Sequence, residues 1–237
     1  MKVFVKKKSI SLAIIVWNEL KSSEVIFPQI NREDFEQIYV IDGGSTDGTK
    51  EYYTKHRIPV YKQSVKGLGG ATFEARKRCE TEAIVFFHPD GNEDPTDLSK
   101  FRTYLNKGAE LVIPSRMIEG SKNEEDGEFL KPRKWVNQIL VFIANILWGD
   151  SSHKATDPTQ GYRGITVKAY DKLNLDMANL TIDYQMIIRA LKEKICIMEF
   201  PTIEGERLFG ETTFDSIPTG IAELKMLWRE IKLGKNY

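Results

Sequence analysis

The sequence predicts an α/β fold in which a mostly parallel central sheet is flanked by helices. Three observations carry this. Short apolar runs alternate with helix-like stretches through the first half of the chain. The runs are continuously apolar, the pattern of strands buried on both faces. A length of 237 residues permits one large domain with a sizeable core. Hydrophobic residues at 41% and charged residues at 29% are ordinary for a globular chain, and the scattered glycines and prolines exclude fibrous and disordered classes.

The elements follow in order. Ile10 to Val16, apolar but for Ser11, is the first strand, and Glu19 to Ile30 a helix. Gln37 to Ile41 is a second strand, Thr46 to His56 a helix and Ile58 to Tyr61 a short strand. A helix opens from the glycine-rich stretch at Gly69 and runs to Cys79, and Ala83 to Phe87 is an unbroken apolar strand. Asp94 and Pro95 supply the N-cap and first residue of a helix reaching Lys107, and Glu110 to Pro114 is the next strand. In such sheets ligands sit at the carboxyl ends of the strands.

After Pro114 the rhythm changes. Ser115 to Leu130, with two glycines and the acidic run Glu124, Glu125 and Asp126, is a mobile loop by composition. Lys131 to Trp148 is a helix with a basic first turn, in which Trp135, Ile139, Phe142, Ile143 and Ile146 form one apolar stripe. Leu140, Val141 and Leu147 lie off that stripe, so something besides the core is expected to cover this helix. Helix Ile182 to Lys194, strand Ile195 to Phe200, a polar loop and a closing amphipathic helix Ile217 to Leu233 complete the chain. One domain over 1–237 is expected, with the change of rhythm dividing it into a first half, 1–114, and a second half, 115–237.

Lysine plus arginine balances aspartate plus glutamate at 34 each, so no global field favours a nucleic-acid partner. Cys79 and Cys196 form neither a CxxC pair nor a Cys/His cluster, which fits a reducing compartment without structural zinc. Lys6, Lys7 and Lys8 before the apolar run imitate a signal peptide. Asn18, Glu19, Leu20 and Lys21 stand where a peptidase needs small residues, so a cytoplasmic first strand is expected.

Several segments could carry chemistry. Asp42, Gly43, Gly44, Ser45 and Thr46 follow the second strand and make either a niche for a polar ligand or an ordinary capped turn. Lys66 to Ala71 is glycine-rich and opens a helix, but lacks the spacing of a P-loop or a dinucleotide fingerprint. His88, Asp90 and Asn92 follow an apolar strand and could hold a divalent cation against a diphosphate. Asp157 to Arg163, and Glu206 to Thr212, place carboxylates and guanidiniums around turns that are individually ordinary surface pairs.

Taken in order, Asn18 and Glu19, the Asp42 to Thr49 loop, Lys66 to Ala71, the Asp90 strand end, Ser115 with Arg116, Asp157 to Arg163, and Glu206 to Thr213 resemble inverting family 2 glycosyltransferases of the GT-A fold. They look most like the dolichyl-phosphate or polyprenyl-phosphate sugar transferase group. The resemblance runs from about Ile10 to Phe214 and implies a nucleoside diphosphate sugar donor bound by Asn18, Glu19, Asp42, Lys66 and Asp90. It implies Mg²⁺ or Mn²⁺ at Asp90 and Asn92 with help from His88, and phosphate or acceptor binding by Arg116, Arg133 and Arg207. Asp157 and Arg163 would be catalytic, with Asp157 as base if the acceptor is a hydroxyl. The acceptor would be polyprenyl phosphate or a glycan of cell-surface polysaccharide. His88 replaces the first aspartate of the family's Asp-x-Asp, and Ile15 and Trp17 replace a usual proline and tyrosine. A nucleotidyltransferase lacks its N-terminal basic loop here, and a non-catalytic nucleotide-sugar-binding protein on the same scaffold is the remaining alternative. The Lys131 to Trp148 helix and Lys225, Arg229, Lys232 and Lys235 suggest peripheral contact with the inner face of a membrane, or a homodimer contact.

Overall fold

The computed structural model describes residues 7–127, 129, 131–177, 179–210 and 216–237. Glu211 and Thr212 lie outside the described residues. The strands are β1 Ile10–Val16, β2 Gln37–Asp42, β3 Val60–Lys62, β4 Ala83–Phe87, β5 Leu111–Ser115, β6 Arg163–Thr166 and β7 Ile197–Pro201. Among the described residues they form one sheet in the order β3-β2-β1-β4-β6-β5-β7. Every pairing is parallel except those of β6, which runs antiparallel to both β4 and β5. A strand from the second half of the chain thus separates two strands of the first.

The helices are α1 Leu20–Ile26, α2 Thr49–Lys55, α3 Leu68–Arg78, α4 Leu98–Asn106, α5 Pro132–Trp148, α6 Val167–Lys172, α7 Ile182–Lys192 and α8 Ser216–Leu233. Side chains of a strand point alternately to its two faces. Leu12 and Ile14 of β1 therefore join one core with α1, α2 and α4 residues, while Ala13 joins a second core with α3, α5 and α7 residues. This is why β1 and β4 read as unbroken apolar runs. Helix α2 begins three residues later than expected, because Asp47 accepts from the amides of Leu20 and Thr49, both at 3.0 Å, and Gly48 takes φ +101°. The turn before it is spent on fastening α1 to α2.

Two elements depart from the sequence expectation. Strand β6 begins at Arg163, where a turn is expected to end, and the short α6 lies in a stretch for which the sequence pattern indicates no element. Helix α5 carries apolar residues on both its inner and its outer face. Leu140, Val141 and Ala144 are buried, whereas Trp135, Ile139, Phe142 and Ile146 are 48 to 66% exposed. The neighbouring α8 does likewise, burying Glu223, Met226, Leu227 and Glu230 and exposing Ile221, Leu224, Trp228 and Ile231. No helix among the described residues is long and apolar enough to cross a membrane.

Candidate active site

The loops at the carboxyl ends of β1, β2, β4 and β5 converge on one side of the sheet. Asn18 adopts φ +54°, donates its amide to Ser45 Oγ and accepts the Thr46 amide, both at 2.8 Å. Asp42 is buried and accepts from the amides of Gly44 (3.1 Å) and Ser45 (3.0 Å). Both expected donor ligands therefore spend these polar atoms shaping the loops, and neither lines the cavities described next.

A cavity of about 620 Å³ is lined by Trp17, Glu19, Gly43, Gly44, Lys62, Lys66 and others at the ends of β1 to β3. A second, of about 340 Å³, is lined by Arg116, Arg133, Gln160, Asp183, Glu204 and Glu223 among others. The two share Leu68, His88 and Asp90. A ligand with two parts, one per cavity, would have its junction beside His88 and Asp90.

At that junction Glu93 accepts from the backbone amide of His88 and pairs with its ring Nδ1, each at 2.7 Å. Burial opposes charge on the ring, but Glu93 outweighs it and the His88 pKa is pushed up to about 9. His88 Nε2 and Asn92 Oδ1 are buried without a hydrogen-bond partner among the described residues. Asp90 Oδ2 meets Arg207 at 3.1 Å, and Arg207 also pairs with Glu19, whose carboxyl is pushed above its usual range by burial. Once the ring gives up the proton that Glu93 favours on it, an imidazole nitrogen fixed from behind by a carboxylate, an amide oxygen without a partner and a carboxylate fit a divalent cation of the Mn²⁺ or Mg²⁺ kind. Among the described residues no three His, Cys, Asp or Glu side chains form a preformed cage, so such a cation would take further ligands from a diphosphate and water.

The loop after β7 closes over this corner. Leu208 donates its amide to the Asp90 carbonyl (2.9 Å) and Gly205 to the Asn92 carbonyl (3.0 Å). Gly91 takes φ +104°, and a Cβ there would come within 2.6 Å of Leu208 Cγ. Glycine is required for the two loops to approach this closely.

The remaining expected residues are placed less simply. Asp157 is fully buried and held by the Arg116 guanidinium through Nε (2.7 Å) and a terminal nitrogen (2.8 Å). Burial alone would raise its pKa, but Arg116 outweighs burial and holds it below the usual carboxylate range. It does not line either cavity, which removes the expected geometry for a base. Arg116 carries a second carboxylate, Glu204, at 2.7 Å, so its charge is already neutralised. Arg133 meets Glu124 at 2.6 Å. Each of these guanidiniums is already paired with a carboxylate and would have to exchange a partner to meet a phosphate. Arg163 is fully buried at the start of β6, donating to the carbonyls of Gln160 (2.7 Å) and Asp183 (3.0 Å). It braces the site from beneath and lines neither cavity.

Asp183, at the start of α7, is the carboxylate that the sequence reasoning missed. It lines the smaller cavity, and burial raises its pKa, partly offset by Arg163 with its Nε 3.4 Å away. Glu93, Glu204 and Trp17 were also missed. The one available signal was for Asp183, an acid in the first turn of an expected helix, where acids are common for reasons of capping alone.

The sequence model of the family described as glycosyl transferase family 2 matches residues 11–173. The chain is similar to glycosyltransferase AglJ of Haloferax volcanii, 27% identical over 91% of this chain and 70% of that one. It is also similar to the UDP-N-acetylglucosamine–dolichyl-phosphate N-acetylglucosaminyltransferase of Methanococcus voltae, 26% identical over 82% of this chain and 84% of the relative. Among solved structures, glucosyl-3-phosphoglycerate synthase from Mycobacterium tuberculosis, in complex with Mn²⁺ and UDP-glucose, superposes with a TM-score of 0.68. It is 17% identical and covers 92% of this chain and 78% of the other. That likeness is one of fold, and the GT-A architecture expected from the motif order is the one the chain has.

Proposed function

The chain belongs to glycosyl transferase family 2, and on that premise we propose that it moves a sugar, with inversion, from a nucleoside diphosphate sugar to a polyprenyl phosphate at a membrane surface. One observation carries the choice of acceptor. The smaller cavity is walled by Arg133, Val136 and Asn137 of α5 and by Thr219, Gly220 and Glu223 of α8, the two helices whose outer faces are apolar. An acceptor with a phosphate head and a hydrocarbon tail matches a polar cavity opening beside apolar helix faces. The dolichyl-phosphate acceptor of the Methanococcus relative supports the same class. The Mn²⁺ and UDP-glucose bound to the mycobacterial neighbour support a metal-assisted nucleotide-sugar donor.

In this reading the first half of the chain receives the donor and the second half the acceptor. Trp17, Glu19 and Lys66 line the nucleotide cavity, with Asn18 and Asp42 shaping its loops. Asp90, Asn92 and His88 would hold Mg²⁺ or Mn²⁺, which would supply positive charge against the leaving diphosphate. Arg207, paired with Glu19 and Asp90 at the edge of the nucleotide cavity, would exchange a carboxylate for a phosphate. Arg133 can do the same on the acceptor side, whereas the buried Arg116 stays with its carboxylates and shapes the cavity. A phosphate acceptor is already ionised and needs no base.

A second reading, transfer to a glycan hydroxyl, is favoured by Asp183, a carboxylate in the acceptor cavity whose raised pKa suits a base.

The donor is tested by thermal denaturation with UDP-glucose, UDP-N-acetylglucosamine and GDP-mannose in Mn²⁺ or Mg²⁺. One nucleotide series is expected to raise the melting temperature, because a ligand of the native state stabilises it by about 2.7 kcal/mol at a hundredfold excess over Kd. No rise with any donor would count against the nucleotide-sugar reading.

The acceptor is tested by flotation with anionic liposomes and by transfer to polyprenyl phosphate against soluble glycans. The wild type is expected to float. Phe142→Glu with Ile146→Glu is expected to abolish flotation, since both side chains lie on the exposed stripe of α5. Lys225, Lys232 and Lys235 are exposed and add about 1 kcal/mol each near an anionic surface, whereas Arg229 is committed to Asp176. A protein that stays with the soluble fraction, dimerises through these helices and glycosylates only soluble glycans would defeat the lipid acceptor and leave the family assignment standing.

A further inference from the structure

Glu223 has no place in the chemistry described so far. It lies on the inner face of α8, only 3% exposed, and it lines the smaller cavity together with Asp183 and Gln160. Its Oε2 is buried without a hydrogen-bond partner among the described residues. A buried carboxyl oxygen without a partner is costly to the fold, and sites where a protein tolerates that cost are disproportionately functional. Residue 223 also lies beyond the stretch matched by the family, 11–173, so family membership gives it no role.

The other groups facing it narrow the chemistry. Burial, with Asp183 contributing, pushes the Glu223 carboxyl up to about 8, so near neutral pH it is largely an uncharged acid that can both donate and accept. Asp183 and Gln160 share the cavity and offer further acceptors and donors. Beside Asp183 and Glu223 an anion is disfavoured, so the phosphate head of an acceptor belongs at the Arg133 side of this cavity and another kind of group belongs here. A hydroxyl, which donates and accepts at one atom, satisfies an orphaned carboxyl oxygen without bringing charge into a buried site.

We propose that Glu223 is a specificity-determining residue that hydrogen-bonds a sugar hydroxyl in the smaller cavity. This rests on the glycosyltransfer reading above and adds the group that would sense which sugar is present. The hydroxyl can belong to the transferred sugar of the donor or to a sugar acceptor, and these two sources are separable by experiment.

The test compares wild type with Glu223→Leu and Glu223→Gln. Affinities for UDP, UDP-glucose, GDP and GDP-mannose are measured by calorimetry in Mn²⁺, alongside acceptor KM and melting temperature. The wild type is expected to bind one sugar nucleotide more tightly than its nucleoside diphosphate. Glu223→Leu is expected to lose about tenfold of that sugar-dependent increment with the diphosphate affinity unchanged, and Glu223→Gln, which keeps a donor and an acceptor, to retain most of it. The melting temperature of Glu223→Leu is expected at or above the wild-type value, because an unsatisfied buried oxygen has been removed. A tenfold rise in acceptor KM with donor binding untouched would equally support the proposal and assign the hydroxyl to the acceptor. A lowered melting temperature with all ligand affinities unchanged would give Glu223 a structural role and overturn it. Unchanged donor and acceptor parameters in a wild type that does distinguish sugar from diphosphate would overturn this inference alone. A wild type that binds none of the four probes would overturn the donor reading together with it.

Discussion

Asp90→Ala is expected to lower kcat/KM by about three orders of magnitude while leaving the melting temperature within a few degrees of wild type. Electrostatic stabilisation by a bound cation amounts to several kcal/mol of transition-state energy, and each 1.4 kcal/mol or so is tenfold in rate. The small structural effect follows from the position of Asp90. Its carboxylate is partly exposed, and Arg207 keeps its second partner, Glu19, when Asp90 is lost. Excess chelator should reproduce the loss in the wild type. Mn²⁺ should restore activity at lower concentration than Mg²⁺, because His88 offers an imidazole nitrogen where a hard carboxylate is usual. Full turnover by Asp90→Ala would remove this residue from the chemistry, and equal restoration by the two ions would remove His88 from the ligand set.

The second large effect separates two aspartates. Asp157→Asn is expected to destabilise the protein by about 3 kcal/mol, the lower end for breaking a buried ion pair, since Arg116 retains Glu204. In a chain of this size that is a fall of roughly 6–12 °C in melting temperature. The pair also has a pH signature. Its carboxyl is held below the usual range in the folded state, so its stabilisation is complete above the ordinary aspartate pKa and is lost as pH falls through the lower folded value. Asp183→Asn should behave differently. If the acceptor is a hydroxyl, turnover should fall by about 10²- to 10⁴-fold with donor binding nearly unchanged, measured at a temperature where the variant, which has lost the carboxylate beside the buried Arg163, is still folded. If the acceptor is polyprenyl phosphate, turnover should be nearly retained. A drop in turnover for Asp157→Asn at a temperature where it is fully folded would restore Asp157 as the base.

The reason one aspartate was visible in the sequence and the other was not is physical. Asp157 and Asp90 stand beside glycine or proline in loops, and Asp42 stands beside glycine at the end of a strand, where a carboxylate attracts notice. Asp183, Glu93 and Glu223 sit at or near helix starts or within a helix, where acids are ordinary, and only the packing of α7 and α8 against the end of the sheet gives Asp183 and Glu223 a common cavity. The fold was legible where burial is two-sided, so β1 and β4 were placed to the residue. Strand β6 was not, because its first residue is a fully buried arginine, and sequence pattern does not reveal that backbone carbonyls of residues 160 and 183 will satisfy the guanidinium. Which apolar side of α5 turns inward has a related cause. Periodicity shows that a helix has two apolar sides, and only the tertiary structure decides which of them turns inward.

The place of β6 in the sheet also governs how the chain must assemble. The strands β3, β2, β1 and β4 lie within the first 87 residues and can pair in order of synthesis. The free edge of β4 has to wait for residues 163–166, and β5, complete at residue 115, reaches the sheet only through that same short strand. Until then two apolar strands carry open edges, the condition in which chains slow down and associate with one another. The strand whose arginine braces the active site is therefore also the keystone of folding, and damage to Arg163 would be felt first as poor yield of native protein and only afterwards as poor catalysis.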